Sequence, residues 1–192
     1  MKIYGDKISG NCLKVKYVAD YLKQAYDWVD VSVVEGETKS KAFLNINPAG
    51  QVPAIQLNDG STLAQSNAIM LFLAKDSDLI PADSFLEAKM NEWLFWEQYS
   101  HETAIAVSRF QVVYKAVPFS EVDPELIKKS YAALDVMEKH LQESDWFLGD
   151  HFSLADIALY AYTQFAGEVG FDMPEYTATV RWLKNVRTKL NL

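Results

Sequence analysis

The spacing of apolar residues changes period several times in the first part of the chain. Residues Lys2–Tyr4 are strand-like, and the apolar residues that follow recur at helical spacing, which predicts an amphipathic helix from about Cys12 to Tyr26. Val29, Val31 and Val33 then alternate with polar residues, which predicts a second strand. We expect this strand–helix–strand unit to form a parallel pair.

A hairpin and a second helix are predicted next. The segments Ala54–Leu57 and Ser61–Leu63 flank Asn58-Asp59-Gly60, and Asp-Gly between two short apolar segments is a strong hairpin signal. Ser66 is the predicted N-cap of a helix that runs to Leu73. The order βαβ and then ββα is typical of a thioredoxin-like domain, although such a fold does not by itself set the function.

The second part of the chain has only helical patterns. Residues 76–84 are polar and broken by proline, which predicts a linker. The predicted helices are a long one from about Leu86 to Lys115, one through Ile127–Leu141, and a last one after Pro174. The predicted fold class is therefore an α/β thioredoxin-like N-terminal domain (residues 1–75) followed by an all-α helical domain (residues 85–192).

The clearest local motif in the helical part is Ser153-Leu154-Ala155-Asp156. Serine followed three residues later by an acidic residue resembles a capping box, in which each side chain satisfies a backbone N–H at the helix start. Phe152 and Ile157 stand where a hydrophobic staple would. We interpret this motif as a feature of folding and not of catalysis.

Composition and charge exclude several classes of protein. The net charge of −8 argues against a nucleic-acid partner, and no apolar run approaches the roughly 18 residues that a membrane helix needs. The first residues show no apolar signal region, and a lone cysteine fits a reducing compartment, so a cytoplasmic protein is expected. Three histidines and one cysteine, far apart, give no metal-ligand spacing, so no metal is expected.

The charge is unevenly distributed between the two parts. Residues 1–75 carry a net charge of +1 and the remainder carries −9. A small anionic ligand would therefore meet less repulsion at the first part. Ordinary solubility charge explains the same distribution equally well.

Ser9 is the first candidate for chemistry, because it lies between the first strand and the first helix. Backbone amides at a helix start favour an anion such as a thiolate. The spacing Ser9-x-x-Cys12 matches a redox Cys-x-x-Cys motif whose first cysteine has become serine, and a serine hydroxyl can donate to a sulfur bound in front of it. The alternative is that Ser9 only caps the helix.

Cys12 has two interpretations. It is either a small buried apolar residue, which is the commoner state of a lone cysteine, or an accessible thiol that forms mixed disulfides with a bound thiol. We favour the buried interpretation.

Two further segments carry groups that suit an extended anionic peptide. A proline that opens a strand is often cis, and the turn at Val52-Pro53 would leave the backbone of Val52 able to pair with a peptide as an added strand. Gln65-Ser66-Asn67 begins a helix with donors that suit a carboxylate. An ordinary turn proline and a plain N-cap are the alternatives.

Taken in order, these motifs resemble the glutathione S-transferase family, in its serine-type, bacterial-like form, over essentially the whole chain. Ser9 stands where serine-type members carry the activating hydroxyl, and Gln51-Val52-Pro53 is similar to the cis-proline segment that pairs with the cysteinyl backbone of glutathione. Gln65-Ser66 resembles the pair that holds the γ-glutamyl group. The resemblance implies a glutathione site made of residues on the first domain: Ser9, Asn11, Lys39, Gln51, Val52, Pro53, Gln65 and Ser66.

The resemblance also implies the other substrate and the assembly. The family often has lysine at the position of Gln51, so Lys39 or Lys41 is expected to bind the glycyl carboxylate here. The helical domain would contribute the site for a small hydrophobic electrophile, with His101, Arg109 and Tyr114 as candidates against a core or surface placement. A homodimer acting in detoxification is implied, with glutathione as co-substrate and no cofactor.

Two other functions remain open at this point. One is a glutathione-dependent thiol-disulfide or peroxide reductase, with Cys12 as a redox partner. The other is a non-catalytic interaction module of the same fold. The presence of Ser9 and the other ligand-facing residues disfavours the interaction module.

Overall fold

The first 77 residues form a four-stranded mixed sheet with three α-helices, in a computed structural model that describes residues 1–192. The strands are β1 (Lys2–Gly5), β2 (Asp27–Asp30), β3 (Ala54–Gln56) and β4 (Thr62–Ala64). Their order in the sheet is β2-β1-β3-β4. Strand β1 pairs parallel with β2 and antiparallel with β3, which pairs antiparallel with β4. The predicted thioredoxin-like arrangement of the first part is confirmed.

The helices of this unit are α1 (Gly10–Tyr21), α2 (Lys41–Leu44) and α3 (Ser66–Leu73), with a 3₁₀ turn at Glu37–Lys39. The predicted extent of the first helix was wrong, because α1 ends at Tyr21 and Lys23 adopts a φ of 53°. A left-handed residue cannot continue a right-handed helix. The predicted second strand is also shorter, since β2 ends at Asp30 although Val31 beyond it is buried.

The hairpin is confirmed at Asn58-Asp59-Gly60. The amide of Leu57 donates to the carbonyl of Ser61 (2.8 Å), and the amide of Gly60 donates to the carbonyl of Leu57 (3.0 Å). Gly60 has a φ of 89°, a conformation that glycine adopts at little cost.

Residues 78–192 are helical. The α-helices are α4 (Ser84–Trp96), α5 (Val107–Arg109), α6 (Pro124–Leu141), α7 (Leu154–Thr163), α8 (Ala166–Val169) and α9 (Thr177–Lys189). Short 3₁₀ turns lie at Phe119–Glu121 and Met173–Glu175. The π-helical segment Glu97–Ala106 joins α4 to α5, and a second π-helical segment, Phe110–Tyr114, continues α5, so that all four form one helical stretch. The predicted long helix is therefore present, with looser winding through its middle.

The major helix starts of this unit are capped by side chains. Asp83 accepts from the amides of Phe85 and Leu86 at the start of α4. Asp123 accepts from the amide of Glu125 at the start of α6. A carboxylate in these positions satisfies backbone donors and complements the helix dipole.

The start of α9 is capped by a residue of another helix. Both carboxylate oxygens of Glu138, on α6, accept hydrogen bonds from the amides of Ala178 (3.0 Å) and Thr179 (2.8 Å). Burial raises the pKa of Glu138, but these donors outweigh it and lower the pKa below its ordinary value. The backbone N–H groups at the start of α9, which a nearby side chain usually caps, are thus satisfied by a residue of another helix.

The segment predicted as a linker packs into the helical unit over part of its length. Leu79 is fully buried, and its carbonyl accepts from the amide of Leu154 (3.2 Å). The division between the two units falls between residues 77 and 78. None of the helices has both the length and the apolar character that a membrane span requires.

Candidate functional site

Three segments from distant parts of the sequence meet at one edge of the sheet. Tyr4 in β1 is paired with Ala54 in β3, and Ala54 is paired in turn with Ala64 in β4. The loop that follows β1, the residue before β3 and the residue after β4 therefore lie side by side. These are the segments that carry Ser9, Pro53 and Gln65, so the sheet register brings the three predicted motifs together.

Ser9 is the N-cap residue of α1 and is half-buried. Its backbone is extended (φ −77°, ψ 122°), as expected for an N-cap, but its side chain makes no hydrogen bond to the first-turn amides. The hydroxyl is instead hydrogen-bonded to the sulfur of Cys12. The start of α1 therefore has no side-chain cap. This observation does not support the alternative in which Ser9 only caps the helix.

Cys12 is a buried thiol on the first turn of α1. It is 0% exposed, and its sulfur accepts from the amide of Asp6 (3.3 Å). Burial raises the pKa of Cys12 to about 11, although the hydrogen bonds from Ser9 and Asp6 lower it. A thiol that is buried and protonated is a poor nucleophile, because the thiolate is the reactive form. The structure supports the buried interpretation of Cys12.

The second helix start lies directly beside the first. Ser66 is buried, and its hydroxyl donates to Oδ1 of Asn11 (3.1 Å) across 55 positions of sequence. The prediction that Ser66 caps α3 was wrong by one residue, because Ser66 is the first helical residue and Gln65 is the N-cap. Gln65 makes no side-chain cap hydrogen bond either.

Gln65 has a strained backbone, with φ 72° and ψ 112°. Non-glycine residues rarely occupy this region, and holding one there costs about 1–3 kcal/mol. The residue is exposed, so core packing does not explain why a side chain is kept at this position. Strain of this kind, beside other polar groups at a sheet edge, is typical of a ligand site.

Helices α1 and α3 run in the same direction. Near their starts they are joined by Asn11 and Ser66, and beyond the end of α1 the side-chain amide of Gln24 donates to the carbonyl of Leu73 (2.9 Å), the last residue of α3. Both N-terminal ends, with their partial positive charges, therefore lie at the same edge of the unit. An anion placed there would interact favourably with both helices.

The peptide bond between Val52 and Pro53 is cis, which is one of the two alternatives that the sequence left open. Asn47, which is buried, holds the preceding turn, since its Nδ2 donates to the carbonyl of Gln51 (2.7 Å) and its Oδ1 accepts from the amide of Ala49 (3.1 Å). Gln51 itself is exposed. Because these hydrogen bonds fix the turn, the backbone of Val52 has a defined position next to the strand edge.

Lys39 reaches the same turn from the 3₁₀ segment. Its Nζ donates to the carbonyls of Gly50 (2.9 Å) and Ala49 (3.3 Å). Gly50 has a φ of 60°, and a Cβ there would come within 2.9 Å of the backbone carbonyl oxygen of Thr38, so glycine is favoured there on both counts. This arrangement holds an ammonium group beside Gln51 and Val52. Lys41, the alternative to Lys39, is the exposed first residue of α2.

The residues proposed for an electrophile site differ from one another in their surroundings. His101 is 0% exposed and its Nε2 is 2.8 Å from Oγ1 of Thr163. Arg109 is 4% exposed, with its guanidinium 4.1 Å from the ring centre of Phe165. The structure thus places His101 and Arg109 in the interior of the helical unit, which agrees with the core placement that was the alternative for both.

Tyr114 is the third of these candidates and is half-buried at the end of the helical stretch. Its ring stacks on that of Phe110, with ring centres 5.0 Å apart. It remains a prediction for the electrophile site.

Sequence reasoning missed two contacts that organise the site. The hydrogen bond from Asn47 to the carbonyl of Gln51 could have been expected from the sequence, because Asn before Pro commonly starts a turn. The bond between Asn11 and Ser66 had none, since it joins residues that only the packing of α1 on α3 brings together. The strain at Gln65 was also invisible, because the residue type gives no indication of a positive φ.

Comparisons with known proteins agree with this arrangement. The family model for the glutathione S-transferase N-terminal domain matches residues 8–76, and that for the C-terminal domain matches residues 95–189. Mouse glutathione S-transferase theta-1 is 30% identical over 203 residues, which cover 97% of this chain and 82% of the relative.

Solved structures give the same result. The crystal structure of a glutathione S-transferase from Pseudomonas fluorescens is 44% identical, with a TM-score of 0.93 over 97% of this chain and 94% of that one. A glutathione transferase homologue from Sulfitobacter, solved with bound glutathione, is 20% identical with a TM-score of 0.80, over 97% of this chain and 91% of that one, and shows a likeness of fold alone. Family models over both parts of the chain, together with relatives and structures that cover nearly all of it, establish that this protein belongs to the glutathione S-transferase family of enzymes.

Proposed function

We propose that this protein is a glutathione transferase that ionises the thiol of glutathione and directs the thiolate at a small hydrophobic electrophile. The observation that carries the proposal is the hydrogen bond from Ser66 to Asn11, which holds the start of α3 beside the start of α1, where Ser9 lies. An extended peptide with a carboxylate at one end and a thiol in its middle matches two adjacent uncapped helix starts.

Ser9 is the proposed catalytic residue. Lowering a thiol pKa from about 8.5 to about 6.5 requires roughly 2.7 kcal/mol. A hydrogen bond to a charged group contributes about 1.5–3 kcal/mol, and the start of α1 adds a favourable dipole. The hydroxyl and the helix start together therefore suffice for a substantial thiolate fraction at neutral pH.

The remaining subsites follow from the same edge of the sheet. Gln65, Ser66 and the start of α3 would hold the γ-glutamyl group, and the backbone of Val52 before Pro53 would pair with the cysteinyl unit as an added strand. Lys39 has its Nζ at the carbonyls of Ala49 and Gly50, in the turn that precedes Gln51, so we assign it the glycyl carboxylate. Asn11 belongs to the site through Ser66.

The reductase alternative is disfavoured by the state of Cys12. A redox partner must expose its sulfur and form a thiolate, whereas this sulfur is fully buried and its pKa is raised to about 11. We therefore do not assign Cys12 a redox role.

A homodimer is part of the proposal. Tyr99 is 85% exposed and lines a groove of about 570 Å³ together with Trp96, Ala132 and Val136. Phe95, in α4, is also 76% exposed. Exposed apolar surface of this kind marks an interaction site. Multi-angle light scattering should give twice the chain mass, and a monomer at working concentration would contradict the assignment.

Isothermal titration calorimetry with reduced glutathione tests the proposal first. Saturable binding in the micromolar to low-millimolar range is expected, followed by turnover of chlorodinitrobenzene, which reports thiolate attack on an activated carbon. Binding without turnover of electrophiles, disulfides or peroxides would favour an interaction module. An absence of binding would reject a glutathione-dependent function altogether.

A further inference from the structure

Asp6 directly follows β1 and contacts the segment that carries Ser9 at several points. Its carbonyl accepts from the amide of Ser9 (3.1 Å), and its amide donates to the sulfur of Cys12 (3.3 Å), to which the Ser9 hydroxyl is also hydrogen-bonded. Oδ1 of its side chain accepts from the amide of Ile8 (3.0 Å), within the same turn. The backbone and the hydroxyl of Ser9 therefore both depend on the position of Asp6.

The other carboxylate oxygen of Asp6 reaches the loop that follows β2. Oδ2 accepts from the amide of Val33 (3.4 Å), 27 positions further along the chain. That loop is closed on itself, because Oε2 of Glu37 accepts from the amide of Ser32 (2.7 Å) and the amide of Glu37 donates to the carbonyl of Ser32 (3.1 Å). The Asp6 side chain therefore joins the Ser9 turn to a segment that has its own internal hydrogen bonds.

The loop after β2 leads to the turn before Val52. It continues into the 3₁₀ segment Glu37–Lys39, and Nζ of Lys39 donates to two carbonyls of that turn (2.9 and 3.3 Å). Under the proposed function the thiol of glutathione lies at Ser9, while the backbone of Val52 pairs with the same cysteinyl unit. The distance between these two sides of the site therefore depends on the link that Asp6 makes.

The charge of Asp6 does not favour a thiolate at this position. Burial is the main cause of the raised pKa of Cys12, and the negative charge of Asp6 raises that pKa further. The same repulsion would act on a glutathione thiolate at Ser9. A carboxylate has an advantage of geometry instead, because its two oxygens accept from Ile8 and Val33 together, whereas asparagine presents an NH₂ group in place of one oxygen.

We propose that Asp6 is a positioning residue that fixes the Ser9 hydroxyl by joining the loop after β1 to the loop after β2. The inference rests on the proposed function and goes beyond it, because it assigns part of the rate to a residue that acts through Ser9. The carboxylate holds the Asp6 backbone in place, and that backbone in turn holds the amide of Ser9 and the sulfur of Cys12.

The substitution D6N tests this role, because asparagine cannot accept from both Ile8 and Val33 in this geometry. Turnover of chlorodinitrobenzene should fall about tenfold, since a small displacement of a catalytic group has a large effect on rate. Glutathione affinity should change by less than about threefold, because the contacts at the two ends of the peptide remain.

The pH dependence of turnover at saturating glutathione separates positioning from charge. A displaced Ser9 hydroxyl stabilises the thiolate less, so the D6N profile should move to higher pH than that of wild type. Loss of a nearby negative charge alone would stabilise the thiolate and move the profile to lower pH. The direction of the shift therefore decides between the two effects.

A double-mutant cycle shows whether Asp6 acts through Ser9. In an S9A background, D6N should change turnover by less than about twofold, because no hydroxyl remains to be positioned. A second variant, D6S, keeps a hydroxyl acceptor for the amide of Ile8 but is too short to reach Val33. It should lose turnover and shift the pH profile in the same direction as D6N.

Asp30 provides a matched control. It is paired with Gly5 in the sheet, next to Asp6, but its oxygens accept from side chains, namely Nζ of Lys7 (2.9 Å) and Nε1 of Trp28 (2.7 Å). D30N therefore removes the same charge without releasing a loop amide. Its turnover and pH profile should equal those of wild type.

The outcomes that overturn the inference differ from those that reject the proposed function. Unchanged turnover in D6N, a D6N profile at lower pH, an equal loss in D30N, or a full D6N loss that persists in S9A would each overturn the role of Asp6. If wild type neither binds glutathione nor turns over the electrophile, or if S9A is as active as wild type, the proposed function fails instead.

Discussion

Ser9 and Ser153 each stand at the N-cap of a helix, and their surroundings differ. Ser153, before α7, accepts from the amide of Ala155 (3.2 Å) and is paired with Asp156 in a complete capping box. Ser9, before α1, makes no cap at all with its side chain. Ser153 is fully buried, whereas Ser9 is half-buried.

Asp156 is the acceptor that satisfies the donors around the start of α7. Its two oxygens accept from four donors, namely the amide and hydroxyl of Ser153, the amide of Phe147 and Nε1 of Trp182. A helix start whose donors are satisfied internally has nothing to offer a ligand. Where the cap is missing, at α1 and α3, the helix start retains its attraction for anions. A helix N-terminus with a side-chain cap therefore stabilises the fold, whereas the N-termini of α1 and α3, which have no such cap, can bind a ligand.

The largest expected effect is on the capped side. The substitution D156A leaves four buried donors without an acceptor, so the free energy of unfolding should fall by about 3–5 kcal/mol. S153A removes only one partner and should cost about 0.5–2 kcal/mol. Urea denaturation followed by circular dichroism measures both. Equal losses in the two variants would show that Asp156 is not the centre of the box.

On the uncapped side, S9A should act on catalysis and leave folding intact. Turnover of chlorodinitrobenzene should fall about 10²-fold, since one donor to a developing charge is lost, while glutathione affinity changes far less. The free energy of unfolding should fall by no more than about 1 kcal/mol, because no cap is removed and only the hydrogen bond to the sulfur of Cys12 is lost. Equal losses of affinity and turnover would reject Ser9 as the thiol activator.

The pH dependence of stability offers a third test, centred on Asp156. Burial raises the pKa of this carboxyl to about 6, although four donors lower it. Between about pH 4 and pH 6 the folded protein then holds a proton that the unfolded chain has released, since an unfolded aspartate has a pKa of about 3.9.

The direction of the resulting effect is fixed by this difference in proton affinity. The stabilisation from Asp156 is fully present below about pH 4 and is lost as the pH rises through about 6, at about 1.4 kcal/mol for every tenfold difference in proton affinity between the folded and unfolded states. Wild type should therefore exceed D156N in stability by more at about pH 4.5 than at about pH 7.5, on either side of the folded pKa. A margin that grows with pH would mean that the four donors outweigh burial.

The smallest effect is expected at the strained start of α3. Glycine adopts the positive φ of residue 65 freely, so Q65G should be more stable than Q65A by about 1 kcal/mol. Both variants lose the Gln65 side chain and should lose glutathione affinity alike. Thermal unfolding and calorimetry measure the two effects. A Q65A variant as stable as Q65G would show that the backbone carries no strain.

Local rules predicted a large part of this molecule. The parallel strand pair, the hairpin at Asp59-Gly60, the cis bond before Pro53 and the capping box at Ser153 all depend on residues close in sequence. The errors lay at element ends. The residue at which α1 ends (Tyr21) and the residue that stands at the N-cap of α3 (Gln65) depend on backbone conformations that cannot be read from the residue types.

The candidate site was predicted as a set of segments but not as a geometry. Ser9, Pro53 and Gln65 were identified from their motifs, whereas the sheet register decides that they share one edge. Whether His101 and Arg109 line a site or lie in the core was left open, since a polar residue on a long helix gives no indication of which face is buried, and the structure places both in the core.

What the sequence by itself determined is the set of elements, their order and the residue types at each helix start, because these follow from periodicity, turn chemistry and capping over a few residues. The tertiary structure alone decided that the starts of α1 and α3 are open, that Asn11 contacts Ser66, and that Cys12 is buried away from solvent. The physical reason is that burial and long-range hydrogen bonds depend on packing between distant segments, and no local pattern encodes the partner.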